Sequence, residues 1–128
     1  MFNWRRRGSG EQPAVLDGQY LARLETHLGE AELRELLSDG LLELTDRVAR
    51  IPKLAGADDC EELVHLLHDI VGMAGHLGLT KLSHAAVAAG RVLQGAQPGD
   101  PDAVNSVLEA APEAISAIRC FLDGGSQD

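Results

Sequence analysis

The sequence predicts an all-α protein, an antiparallel up-and-down four-helix bundle with a short extra helix at its N-terminus. Apolar residues recur at spacings of three and four along most of the chain, and convincing strand alternation is lacking. Short connections containing Gly or Pro separate these segments. Amphipathic helices joined in this way cannot bury their apolar faces alone, so we expect them to pair antiparallel into a bundle.

The first two helical segments are rich in leucine. The first covers about residues 17–28, and the second about residues 30–51. Pro52 is expected to stop the second helix, because proline lacks a backbone N–H and crowds the preceding turn. Gly40 interrupts this segment, but the leucine stripe stays in phase across it, which favours one long helix.

Three more helices follow. The third covers about residues 58–77 and carries most of the histidine. The fourth is expected to be capped by Thr80 and to run to Gly95. The fifth opens with Asp100-Pro101-Asp102, a cap followed by proline and then by an acid near the positive helix end. Pro112 lies inside this last helix and should kink it.

Length and composition predict one domain between two tails. The 128 residues, 45% of them apolar, supply one compact core. Residues 14–123 form the predicted bundle, residues 1–13 a flexible basic tail and residues 124–128 a flexible C-terminal tail. Because aromatic residues make up only 3% of the chain, we expect Leu, Val, Ile and Ala to fill the core.

Charge and composition argue against several classes of partner. The net charge of -9 opposes attraction to nucleic acid or to an anionic membrane surface. No apolar run approaches the roughly twenty residues of a membrane span, and the N-terminus lacks the apolar stretch of a signal peptide. The two cysteines form no disulfide pattern. We therefore expect a cytoplasmic protein with reduced thiols.

His68 is the main candidate for a functional residue. At about 100° per residue, the apolar side chains of its helix fall on the opposite side, which places His68 at the centre of the face turned away from the core. The neighbours of His68 on this outward face are Glu61, Val64, His65, Val71, Gly72 and Gly75.

Two glycines on this face indicate an approach path to the ring. A glycine inside a helix costs about 1 kcal/mol relative to alanine, so Gly72 and Gly75 need a compensating reason. Without side chains there, another molecule's backbone or a tetrahedral group can come close to a largely neutral, nucleophilic imidazole. Two plainer interpretations stay open: the glycines pack against a neighbouring helix, or His68 has no role.

These residues resemble a known family. The segment His68-Asp69-Ile70-Val71-Gly72-Met73-Ala74-Gly75-His76-Leu77-Gly78 resembles the signature of histidine-containing phosphotransfer (HPt) domains, in which a helix presents a phospho-accepting histidine. The resemblance covers about residues 14–123, which is the whole predicted bundle. Matches to the signature fall at His68, Ile70, Gly72, Ala74, Gly75, Leu77 and Gly78.

Two positions depart from this signature. Val71 stands where the family has a lysine, and Met73 stands where it has a small residue. In the family, the lysine interacts with the phosphoryl group. The nearest bases by sequence, Lys81 and Arg91, lie on the next helix.

The resemblance implies a phosphorelay carrier rather than an enzyme. His68 would accept a phosphoryl group from a receiver-domain Asp, or from a kinase, and pass it to another receiver. The implied partners are response-regulator receiver domains, with a hybrid sensor histidine kinase as a further candidate, and the carrier is expected to be a monomer. The chain has no glycine-rich nucleotide loop, so no intrinsic cofactor is expected, and Mg²⁺ is expected on the receiver. The implied docking residues are Glu61, Val64, His65, Val71, Gly72 and Gly75.

Two other functions stay open. Val71 in place of the lysine favours a non-catalytic HPt-like module that binds receiver domains without phosphotransfer. The ExxH spacing of Glu62 and His65, together with His68, is the observation that favours a metal-binding helical bundle. Dinuclear bundles need a second such motif and inward-facing ligands, so this last hypothesis ranks below the others.

Overall fold

The computed structural model describes residues 14–56, 60–95 and 102–124. These residues form five helices and no strand. The helices are α1 (Gly18–Leu28), α2 (Glu30–Gly56), α3 (Cys60–His76), α4 (Thr80–Gln94) and α5 (Asn105–Leu122).

The four longer helices pack in a closed ring. Each of α2, α3 and α4 contacts the next helix along the chain, α5 contacts both α4 and α2, and α1 packs on α2. Because the order around the ring is the order along the chain, this is the arrangement of an up-and-down bundle. The predicted all-α bundle with a short N-terminal helix is confirmed.

The core is entirely aliphatic. Its buried side chains are all Leu, Ile, Val and Ala, as the scarcity of aromatic residues predicts. No polar or charged residue among those that the structure describes is buried. No helix in this part of the chain is long and apolar enough to cross a membrane.

The turn between α3 and α4 is held by a C-terminal cap on α3. Gly78 has a φ of 78°, a left-handed conformation that glycine adopts without strain. The Leu79 amide donates to the Ala74 carbonyl (2.8 Å) and the Gly78 amide to the Gly75 carbonyl (3.2 Å), which is the Schellman pattern. Leu79 and Ala74 are both buried, and they supply the apolar contact that accompanies this motif.

Helix α1 is tied to the same turn. The Asp17 carboxylate caps α1 by accepting from the Tyr20 amide (3.1 Å), and the Asp17 amide donates to the Gly78 carbonyl (2.8 Å). The Tyr20 hydroxyl donates to the His76 carbonyl (2.9 Å). The short N-terminal helix therefore fixes the end of the helix that carries the histidines.

Helix α2 is continuous through Gly40, as the uninterrupted leucine stripe predicts. A Cβ atom at Gly40 would lie 2.6 Å from Leu77 Cδ2, so glycine makes room for the side chain that follows α3. The prediction that Pro52 stops this helix is wrong, because α2 extends to Gly56. Buried Ile51 and half-buried Leu54 pack on either side of the proline and hold the last turn, although one backbone hydrogen bond is lost.

Two predicted helix starts also need correction. Thr80 is the first residue of α4 and not its cap, since Leu79 holds that position without a side-chain hydrogen bond. Leu79 is buried as part of the preceding turn, so tertiary packing and not side-chain capping sets this boundary. Helix α5 begins at Asn105, and the Asp102 carboxylate accepts from the Asn105 side chain (3.2 Å). The helix runs through Pro112 without a break.

Some predictions fall on residues that the structure does not describe. These are the two tails outside residues 14–124, the start of the third helix at Asp58, and the Asp100-Pro101 pair.

We expect Gly78→Ala to lower the free energy of unfolding by about 2 kcal/mol, because a non-glycine residue is strained in the left-handed region. The added Cβ would also lie 2.9 Å from Tyr20 Cδ2. Urea denaturation measures the change. Gly90→Ala is the control, since a Cβ at Gly90 meets nothing within 4 Å, and equal stability of the two variants would contradict the prediction.

Candidate functional site

Helix α3 has one buried face and one exposed face, and His68 lies on the exposed face. Burial of the apolar side chains fixes the rotation of the helix about its axis, so the side chains opposite them must point to solvent. His68 and its neighbour His65 are exposed, as the helical spacing predicts. The buried residues of α3 are Leu63, Leu66, Leu67, Ile70 and Ala74.

The two glycines of this face leave open space. A Cβ atom built on Gly72 or on Gly75 meets no heavy atom of another described helix within 4 Å. The interpretation that these glycines allow close packing against a neighbouring helix is therefore wrong for the part of the chain that the structure describes. Both positions are exposed, so the backbone beside His68 is open to another molecule.

His68 lies at a groove between α3 and α4 with a volume of about 450 Å³. The wall formed by α3 contains Val64, His65, Leu67, His68 and Val71. The wall formed by α4 contains Ala86, Val87, Gly90, Arg91 and Gln94.

Two weak hydrogen bonds join the helices α3 and α4. The Ser83 hydroxyl donates to the Val71 carbonyl (3.4 Å), and the Cys60 thiol donates to the Leu93 carbonyl (3.5 Å). They connect α3 and α4 at opposite ends of the pair. Helix α4 is rich in buried alanine at this contact, which lets the two helices lie close together.

Three arginine and lysine side chains near α3 differ in their partners. Arg47 Nε of α2 lies 4.0 Å from Asp69 Oδ2, on the residue that follows His68. Lys81 Nζ lies 2.8 Å from Glu113 Oε1 of α5, so this base faces the other side of α4. Arg91 lines the groove with His68.

The structure brings together part of the predicted docking set. Val64, His65 and Val71 line the groove with His68, whereas Glu61, Gly72 and Gly75 are exposed on α3 outside it. The sequence prediction missed the wall supplied by α4. The sequence does contain a sign of this wall, because residues beside the buried stripe of α4 recur at spacings of three and four. These residues are Val87, Gly90, Arg91 and Gln94.

The His68 ring has no fixed partner within the described residues. Neither Glu61 nor His65 forms a hydrogen bond with the ring there. The described residues also contain no group of three or more His, Cys, Asp or Glu side chains placed to hold a metal ion. The ExxH spacing of Glu62 and His65 therefore has no further ligand assembled around it in this part of the chain.

A comparison with known families identifies the family of the fold. The model of the Hpt domain matches residues 18–119. The chain belongs to the Hpt domain family. No curated protein and no solved structure matches it significantly. Hpt domains are phosphocarrier modules, and membership places the chain in phosphorelay signalling by histidine phosphotransfer.

The Hpt signature of this chain separates into residues with different physical tasks. Ile70, Ala74 and Leu77 are buried and orient α3. Gly78 forms the left-handed cap at the end of the helix. A Cβ atom at Gly72 would meet nothing within 4 Å, so packing against another described helix does not require glycine at this position.

We expect Gly72→Ala to raise the free energy of unfolding by about 1 kcal/mol, because alanine is the better helix former and its Cβ enters open space. Urea denaturation of the variant measures this. Gly78→Ala is the control, because it is expected to lower the free energy of unfolding. A destabilised Gly72→Ala protein would mean that the backbone at this position is packed after all.

Proposed function

We propose that His68 of this Hpt domain accepts a phosphoryl group from the phosphorylated Asp of a receiver domain and passes it to another receiver. One observation carries the proposal. The exposed imidazole lies at an open groove, and the bare backbone at Gly72 and Gly75 leaves room beside it.

The chain has to supply only a positioned nucleophile. The Nε2 lone pair of the neutral ring attacks phosphorus in line with the bond to the aspartyl oxygen. The N–P bond forms as the O–P bond breaks, and the Asp carboxylate leaves with the bonding electrons. Mg²⁺ bound to the receiver would neutralise charge in this loose transition state.

The valines beside the ring form the apolar part of the proposed docking surface. Val64 and Val71 of α3 and Val87 of α4 are half-buried and line the groove. His65 also lines the groove and is exposed, and Glu61 is exposed on α3 outside it. An apolar centre with a polar rim is typical of protein interfaces. A carrier must release each partner quickly, so we expect a transient interface of less than roughly 1,200 Å².

A module that binds receivers without accepting phosphate is the second candidate. Val71 favours it, because valine cannot contribute the positive charge that the family lysine supplies. The two functions differ in one measurement, since a binding module would form the complex and stay unlabelled.

Mixing the purified chain with a phosphorylated receiver should give an acid-labile, base-stable label on the wild-type protein. His68→Ala should abolish this label, because the nucleophile is removed. His65→Ala is the matched control, since His65 is also exposed and lines the same groove, and it should keep the label. Label that persists in His68→Ala and disappears in His65→Ala would move the acceptor to His65.

Gly72→Leu should leave the fold intact and lower the rate of transfer by about a hundredfold, because the new side chain occupies the approach to the ring. The measurement is the rate of label transfer from the receiver, together with the thermal unfolding midpoint. Ser116→Leu is the control, since it places leucine at an exposed position of α5, which does not contact α3. Unchanged transfer in Gly72→Leu would refute the clearance argument.

A further inference from the structure

Resting on the function proposed above, we propose that Arg91 binds the phosphoryl group carried by His68. The position three residues after His68 holds Val71, which has no charge. Arg91 lines the same groove from the neighbouring helix, and its guanidinium supplies the missing cation.

His68 and Arg91 line the same groove. His68 stands on the α3 wall and Arg91 on the α4 wall of a groove of about 450 Å³. Gly90 precedes Arg91 on the α4 wall, and a Cβ atom there would meet nothing within 4 Å, so this part of the wall is open. The side chain of Val71 is short and half-buried. A phosphoryl group on the ring would therefore occupy a space that an arginine side chain can enter.

Arg91 is also available, whereas neighbouring bases are engaged. Arg47 is paired with Asp69 at 4.0 Å, Arg50 with Asp46 at 2.9 Å and Lys81 with Glu113 at 2.8 Å. The Arg91 side chain is exposed and forms no ion pair or hydrogen bond with any residue in the described ranges 14–56, 60–95 and 102–124.

The chemistry of the phosphoryl group favours such a partner. A phosphoryl dianion approaches a chain with a net charge of -9, so a local cation matters for its binding. Arginine presents parallel N–H donors that match two phosphoryl oxygens, and such charge-assisted pairs are roughly twice as strong as neutral hydrogen bonds.

Loading with phosphoramidate tests this without a receiver. The Nε2 lone pair of His68 forms the new N–P bond as the N–P bond of phosphoramidate breaks, and ammonia leaves as a neutral molecule. The ring carries the positive charge until Nδ1 releases its proton to water. We expect Arg91→Ala to lower the loading rate by about tenfold, and Arg91→Lys to recover part of it, because lysine keeps the charge but not the fork of donors.

Titration of the bound phosphoryl group, followed by ³¹P NMR, gives a second measurement. Its result would not change if Arg91 had only a structural role. Loss of the guanidinium should raise the pKa of the phosphoryl group in Arg91→Ala, because the dianion loses its partner. Arg23→Ala is the matched control: it removes the same charge from an exposed position of α1 that does not line the groove, and both readouts should equal those of the wild type.

Equal loading rates and equal phosphoryl pKa values in Arg91→Ala and Arg23→Ala would overturn the proposal. A loss confined to Arg47→Ala would also overturn it, since the cation would then come from the α2 side. The proposed function fails in a different way, through a wild-type chain that takes no label from receiver or phosphoramidate, or through label that survives His68→Ala. Arg91→Ala should keep the wild-type unfolding midpoint, because its side chain is exposed.

Discussion

The aliphatic face of α3 determines where everything else at the site can lie. Its leucines and Ile70 are buried against α2 and α4, and rotating the helix would bring them into water. Full burial of a leucine is favourable by roughly 1.5–3 kcal/mol, so several such residues together hold one rotational setting. In that setting the imidazole of His68 points outward, and no hydrogen bond to the ring is needed to direct it.

Four glycines of the described chain illustrate how one residue type serves different physical needs. Gly40 makes room for Leu77, and Gly78 adopts a backbone conformation that other residues avoid. Gly72 and Gly75 do neither, and each weakens its helix by about 1 kcal/mol relative to alanine. Stability lost on the exposed face is offset by the aliphatic core beneath it, which is a common arrangement at sites where another molecule must come close.

The helices and their faces could be predicted from the sequence because both depend on local spacing. The outward position of His68 follows from the periodicity of α3 alone. The boundaries were less predictable: α2 continues past Pro52 because buried Ile51 holds it, and Leu79 replaces Thr80 as the cap because it is part of the preceding turn. The spacing of α4 marks the helix face that forms the second wall of the groove. It does not show that this face lies beside His68, because the register of one helix against another depends on side-chain packing.

The αα-hairpin of α3 and α4 has a consequence for how the site assembles. All the residues that line the groove lie between Val64 and Gln94, and the turn that joins the two helices is closed by its own backbone hydrogen bonds. Contacts this close along the chain require little loop-closure entropy, and proteins rich in them fold fast. The groove therefore depends on contacts between residues that are close in sequence, within one pair of helices. The contact between α5 and α2, in contrast, joins parts of the chain that are distant in sequence.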